Sequence, residues 1–192
     1  PAQLKAGHLA GFCVGEPWNS VAIEAGLGWC PATSADLAPE HPEKVLLVRE
    51  RFAAEHPEVH RRLIAALRDA CAFCADPDTH DDLAGLLADR RYVNAPAALI
   101  RRSLSGSFFA PNWPAAAPAP LTVFNGGDTN VPTAARGAWV LQHLIPGADR
   151  LPATVFSSLV RQVFRPALFA SAERLNPYAF ELNENEAKNE TE

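Results

Sequence analysis

In the stretch GFCVGEPWNS, residues 11–20, an apolar run is cut by Gly15 and Pro17 and restarts at Trp18. That break constrains the fold more than any other feature. Proline removes a backbone donor and cannot sit inside a paired strand, yet its fixed φ suits the first turn of a helix. Leu9 to Val14 is therefore read as a short buried strand. Trp18, Val21, Ala22 and Ala25 then recur at roughly helical spacing, with Gly26 as the stop. The result is strand, tight turn, helix, and in open α/β sheets ligands are held at such turns, beyond the carboxyl ends of the strands. An alternative stays open, in which Trp18 is a packing residue and Glu16 an exposed turn carboxylate.

The remaining runs extend the same alternation. Leu27 to Thr33 and Val45 to Val48 read as further short strands, separated by the polar, proline-marked loop TSADLAPEHPEK. A helical region follows, in which Val59, Leu63, Ala66, Leu67, Ala70, Cys71 and Cys74 recur on one face until Asp76-Pro77-Asp78 ends it. Thr79 opens another helix with Asp81 and Asp82 in its first turn, where carboxylates suit the positive end of the dipole. Residues 96–104 read as a helix closed by Gly106. The run LTVF at 121–124 reads as a short apolar segment, and residues 132–145 and 153–174 as helical stretches, broken at Pro166. The expected class is thus α/β, a parallel or mixed sheet with helices packed on it, although the strands are too few to complete one. The expected divisions are an α/β region over 1–109, a stiff Pro/Ala-rich linker over 110–120, a helical region over 121–180 and a disordered acidic tail over 181–192.

Length and charge exclude several classes. A chain of 192 residues can bury one domain or one large lobe of a longer protein. The formal net charge of -5 offers no basic excess for a non-specific nucleic-acid surface. No run reaches the roughly 18 apolar residues that a membrane span needs. The chain opens at Pro1 and contains no methionine, which points to a processed or truncated product. Its four cysteines, Cys13, Cys30, Cys71 and Cys74, leave disulfides open. Cys71 and Cys74 have CxxC spacing but no matching second pair to complete a zinc site, so they read as core thiols.

Catalytic signatures are missing too. There is no GxSxG elbow, P-loop, GxGxxG or HExxH. His56 and His60 share a helix face at i, i+4, but without a converging carboxylate they read as a solvated pair and no metal or cofactor is expected. A ligand site fits better. The turn offers backbone N–H groups at a helix start, the Trp18 indole and the Asn19 amide, which suit a small anion. Lys44 follows HPE and precedes an apolar run, so its ammonium is a candidate charge partner; it reads equally as an ordinary surface lysine.

The segments AGHLAGFCVGEPWNSVAIEAGLGW, HPEKVLLVRERFAAEHPEVHRRLIAALRDACAFC and YVNAPAALIRRSLSGSF resemble, in that order, the nitrate- and bicarbonate-binding family of ABC-transporter substrate-binding proteins. That family includes cytoplasmic nitrate/nitrite sensors. The resemblance is specific over residues 7–75, weaker over 92–108 and faint over 132–175. It implies a type II periplasmic-binding-protein fold, two α/β lobes closing on an oxyanion, with this chain as an incomplete C-terminal portion. It implies a non-enzymatic receptor for nitrate or nitrite, with Lys44, Trp18, Glu16 and Asn19 as ligand-binding candidates. The implied partner is an ABC permease, with the protein in the periplasm or on the outer face of the membrane, or an RNA-binding antiterminator if the chain is a cytoplasmic sensor. The compact helical end and the cysteines lean toward the sensor branch. Other readings stay open: a bicarbonate receptor, an enzyme like those of thiamine-pyrimidine synthesis with Cys13 as its reactive group, or a structural remnant.

Overall fold

A computed structural model of the chain describes residues 1–106, 122–173 and 175, and the regular structure in them is helical. In chain order the helices are α1 (Ala2–Lys5), α2 (Trp18–Glu24), α3 (Ser34–Leu37), α4 (Glu50–Glu55) and α5 (Pro57–Ala75), then α6 (His80–Ala88), α7 (Ala97–Leu104), α8 (Ala134–Leu144), α9 (Ala153–Val163) and α10 (Pro166–Ala172). Among the described residues there is no β-strand, which overturns the α/β expectation and the type II periplasmic-binding-protein-like architecture with it. Leu9–Val14, Leu27–Thr33 and Val45–Val48 are irregular, as are residues 122–124 of the LTVF run, whose first residue lies outside the described part.

The physical reason is partnership. An apolar run becomes a strand only when a neighbour takes its N–H and C=O groups. No backbone–backbone hydrogen bond joins residues 45–48 to another described residue, and Val45 and Leu47 are 58% and 79% exposed. Thr33, read as a strand end, instead caps α3: it accepts from the Asp36 amide, and its own amide donates to Asp36 Oδ2 at 2.7 Å.

The helices are where local chemistry prescribes them. Pro17 stands immediately before α2, and Gly26, at φ +66°, ends it. The Gly26 amide donates to Ile23 and the Leu27 amide to Ala22, the paired bonds that close a helix through a left-handed residue. Pro57 opens α5 and Glu58 receives Arg61 and Arg62. These guanidiniums hold the Glu58 carboxyl below its ordinary range. The apolar stripe of α5 behaves differently from the expectation of a core-facing surface. Val59, Leu63 and Leu67 are exposed, and the buried positions are His60 and Ala65.

The described residues divide into two compact units, one drawn from 1–41 and 71–130 and one drawn from 42–70 and from 131 onward. The linker expected at 110–120 and the acidic tail expected at 181–192 lie outside the described residues. In the first unit α6 and α7 pack together around Ala84, Ala95 and Ile100, with Val21, Leu87, Val93 and Leu104 against them. Arg101 Nε donates to Asp81 at 2.7 Å and ties α7 to α6; Arg102 donates to Glu24 at 2.8 Å and ties it to α2. In the second unit α8 packs on α9 where Gly137 leaves room: a Cβ there would stand 2.7 Å from the Phe164 ring.

Candidate functional site

The turn between Val14 and α2 is held by side chains. Glu16 and Pro17 are joined by a cis peptide bond, and Pro17 is buried. Glu16 Oε2 accepts from Ser20 Oγ at 2.6 Å and from Ser103 Oγ, on α7, at 2.8 Å. Glu16 Oε1 is buried with no hydrogen-bond partner. Asn19 Nδ2 donates to the Val14 carbonyl at 2.9 Å and closes the turn on itself. Trp18, the first residue of α2, is 37% exposed. The structure thus brings Glu16, Trp18 and Asn19 together in one turn of the first unit.

Lys44 belongs to the second unit. It sits in the irregular segment before α4, its side chain 86% exposed, with Nζ 3.3 Å from Glu43 Oε1. A pair this exposed contributes about 0–1 kcal/mol, so the ammonium is readily available to another anion. Two open grooves lie in the second unit, one along Leu46–Arg49, Phe52 and Leu63 and one along α9. Neither takes in Lys44.

The other candidates have plainer surroundings. Phe52 packs against both His56 and His60, with ring centroids 5.4 and 6.2 Å away. Among the described residues no cluster of three or more His, Cys, Asp or Glu could hold a metal ion. All four cysteines are free thiols. Burial pushes Cys30, Cys71 and Cys74 above the usual thiol range, whereas Cys13 is exposed. Among the described residues no helix is long and apolar enough to cross a membrane.

Ser20 and Ser103 are the residues that sequence reasoning passed over. Ser103 had a signal: it lies four residues after buried Leu99 and three after buried Ile100, a hydroxyl on the apolar side of an amphipathic helix. A polar group there needs a partner, and the partner is Glu16.

The NMT1-like family matches residues 1–88. The nitrate/nitrite binding protein of Synechococcus elongatus is 33% identical over 105 residues, 55% of this chain and 24% of the relative. These matches are to proteins of nitrate and bicarbonate binding and transport, which the chain resembles. Its likeness to other relatives runs further along the sequence. The bicarbonate transport ATP-binding protein of Synechococcus elongatus is 34% identical over 173 residues, 90% of this chain and 25% of the relative. The nitrate import ATP-binding protein of Synechocystis is 34% identical over 177 residues, 90% of this chain and 26% of the relative. The chain therefore spans about a quarter of the length of these relatives. No solved structure matches it at a significant level.

Proposed function

We propose that this chain is a recognition segment for a small oxyanion, nitrate or nitrite, within an ABC transport system. One observation carries the reading. This chain is matched both by relatives named as nitrate/nitrite binding proteins, over about half of it, and by relatives named as ATP-binding transport proteins, over 90% of it. This chain has no P-loop, so the part it shares with the latter is not the usual phosphate cradle. What the names have in common is a small oxyanion, nitrate or nitrite in some and bicarbonate in others. Binding without turnover is the natural activity of such a segment, and the membrane permease of the system is its natural partner.

Two separate candidates for contact with the anion are proposed, each within its own unit: the Lys44 ammonium in the second, and the turn bearing Trp18 and Asn19 in the first. A charge-assisted hydrogen bond contributes about 1.5–3 kcal/mol. Loss of the Lys44 ammonium should therefore weaken binding by about 10- to 100-fold. The test is a calorimetric titration of the full-length protein with nitrate and nitrite, wild type against Lys44→Ala. Binding that survives the substitution unchanged removes Lys44 from the site, and no heat in the wild type removes the nitrate and nitrite reading.

A bicarbonate reading is favoured by one observation, the 34% identity over 90% of the chain to a protein named for bicarbonate transport. The same titration with bicarbonate separates the two: the anion that the wild type binds more tightly is the one the segment recognises.

A further inference from the structure

A carboxylate is a poor partner for an oxyanion, since like charges a few ångströms apart repel. Glu16 nonetheless stands in the turn proposed to help hold one, and its hydrogen bonds say why. Each serine hydroxyl has a single hydrogen to give. Ser103 Oγ has three oxygens within reach: Glu16 Oε2 at 2.8 Å, the Leu99 carbonyl at 3.1 Å and Ser20 Oγ at 3.3 Å. The charged acceptor is also the nearest, and hydrogen bonds to ionised acceptors are the stronger ones. Ser20, at 2.6 Å, gives its hydrogen to the same oxygen. Both hydroxyls thus converge on Oε2, while Oε1 is sealed from solvent with no partner. A side chain held this way is turned into its own unit, with neither oxygen presented to a ligand.

We infer that Glu16 is a positioning residue, which fastens the turn to α7 through Ser103 and so sets how Trp18 and Asn19 are presented, without touching the anion itself. Ser103 lies 87 residues from Glu16 in sequence, so the turn and α7 answer to one another through a pair of side chains. Arg102, next to Ser103, adds a second fastening at the far end of α2 through Glu24. The functional consequence rests on the oxyanion reading above; the fastening does not.

The experiment has one arm for each. In the first, nitrate is titrated into the full-length wild type, Glu16→Ala, Ser103→Ala, the double variant and Glu16→Gln. Glu16→Ala and Ser103→Ala should each weaken binding by about tenfold, equivalent to about 1.4 kcal/mol. Because the two act as one unit, the double variant should also lose about tenfold rather than about a hundredfold. Glu16→Gln, which keeps an acceptor for both hydroxyls, should stay within about threefold of wild type. Tighter binding by Glu16→Gln, the signature of a like charge removed from the anion's surroundings, overturns the inference, as does multiplicative loss in the double variant.

The second arm needs no ligand. The indole N–H of Trp18 is followed by heteronuclear NMR, and Ser103→Ala, a change that favours the helix on propensity, should move it toward the position seen in Glu16→Ala. If Ser103→Ala leaves the Trp18 and Asn19 side-chain resonances where they are, Glu16 does not act through α7 and the inference fails. Absence of nitrate, nitrite and bicarbonate binding in the wild type sinks the oxyanion reading alone, and the Trp18 resonance then decides this one.

Discussion

The stretch at residues 9–19 and the run at residues 45–48 each hold apolar residues leading toward a helix, and the structure treats the turn that ends the first and the run of the second oppositely. At the turn Glu16 and Asn19 are both engaged: Glu16 Oε2 accepts from two serines and Asn19 holds the Val14 carbonyl. Along residues 45–48 no backbone–backbone hydrogen bond joins another described residue, and Leu47 is 79% exposed. The difference teaches what converts a pattern into a structure. A turn is fixed by side chains that carry their own partners, whereas an aliphatic run waits for a neighbour and, without one, is left in water.

The sharpest way to break this comparison is to cut into one core and one uncovered run and weigh the two. Ile100 is 3% exposed at the centre of the first unit. Ile100→Ala should lower the unfolding free energy by about 2–5 kcal/mol, the cost of a lost transfer term and a cavity. Leu47→Ala should change it by less than about 0.5 kcal/mol, as for a surface position. Denaturant titrations of both variants settle the matter. A Leu47 loss that rivals the Ile100 loss would mean the run is covered in solution. Hydrogen exchange offers the same contrast along the backbone, with the amides of 45–48 exchanging at nearly unprotected rates and those of Val21 and Ile100 protected.

Most of the helices were legible because their signals are local, although α3 lies within the stretch read as a polar loop and α1 was not anticipated. Pro17, Gly26, Thr79 and Pro166 each stand at the helix boundary that their chemistry predicts. The strands were misjudged because Val45–Val48 has the composition of a strand, while the partner that would make it one is a property of the rest of the molecule. Helix α5 shows the same limit: its 3.6-residue stripe was readable, but Val59, Leu63 and Leu67 are not where it buries itself. In the candidate site, the turn was visible as a turn. The link from Glu16 to Ser103 was not, because a contact across 87 residues has no spacing rule.

A smaller effect is expected where α8 meets α9. Gly137→Ala gains about 1 kcal/mol of helix propensity. Its new methyl, however, meets the Phe164 ring at 2.7 Å and Val160 at 3.0 Å, and overpacking of this kind costs about 1–3 kcal/mol. The net should be a modest loss, of about 1 kcal/mol, restored in part by Phe164→Leu in the same background. A stabilised Gly137→Ala would show that Phe164 yields and that the contact is looser than the distances imply.

The smallest effect is electrostatic and sits at the start of α5. Arg61 and Arg62 hold the Glu58 carboxyl below its ordinary value of 4.5, chiefly through hydrogen bonds to its two oxygens. A carboxyl whose folded value is depressed adds stability above its unfolded value and loses it as pH falls through the folded one. The difference in melting temperature between wild type and Glu58→Gln should therefore be constant at neutral pH and close as the solution is acidified below the ordinary carboxylate range. The group is well exposed, so salt should shrink the difference too. A gap that persists into acid would assign the stabilisation to the shape of the side chain at the helix start, and the ion pairs would then contribute nothing.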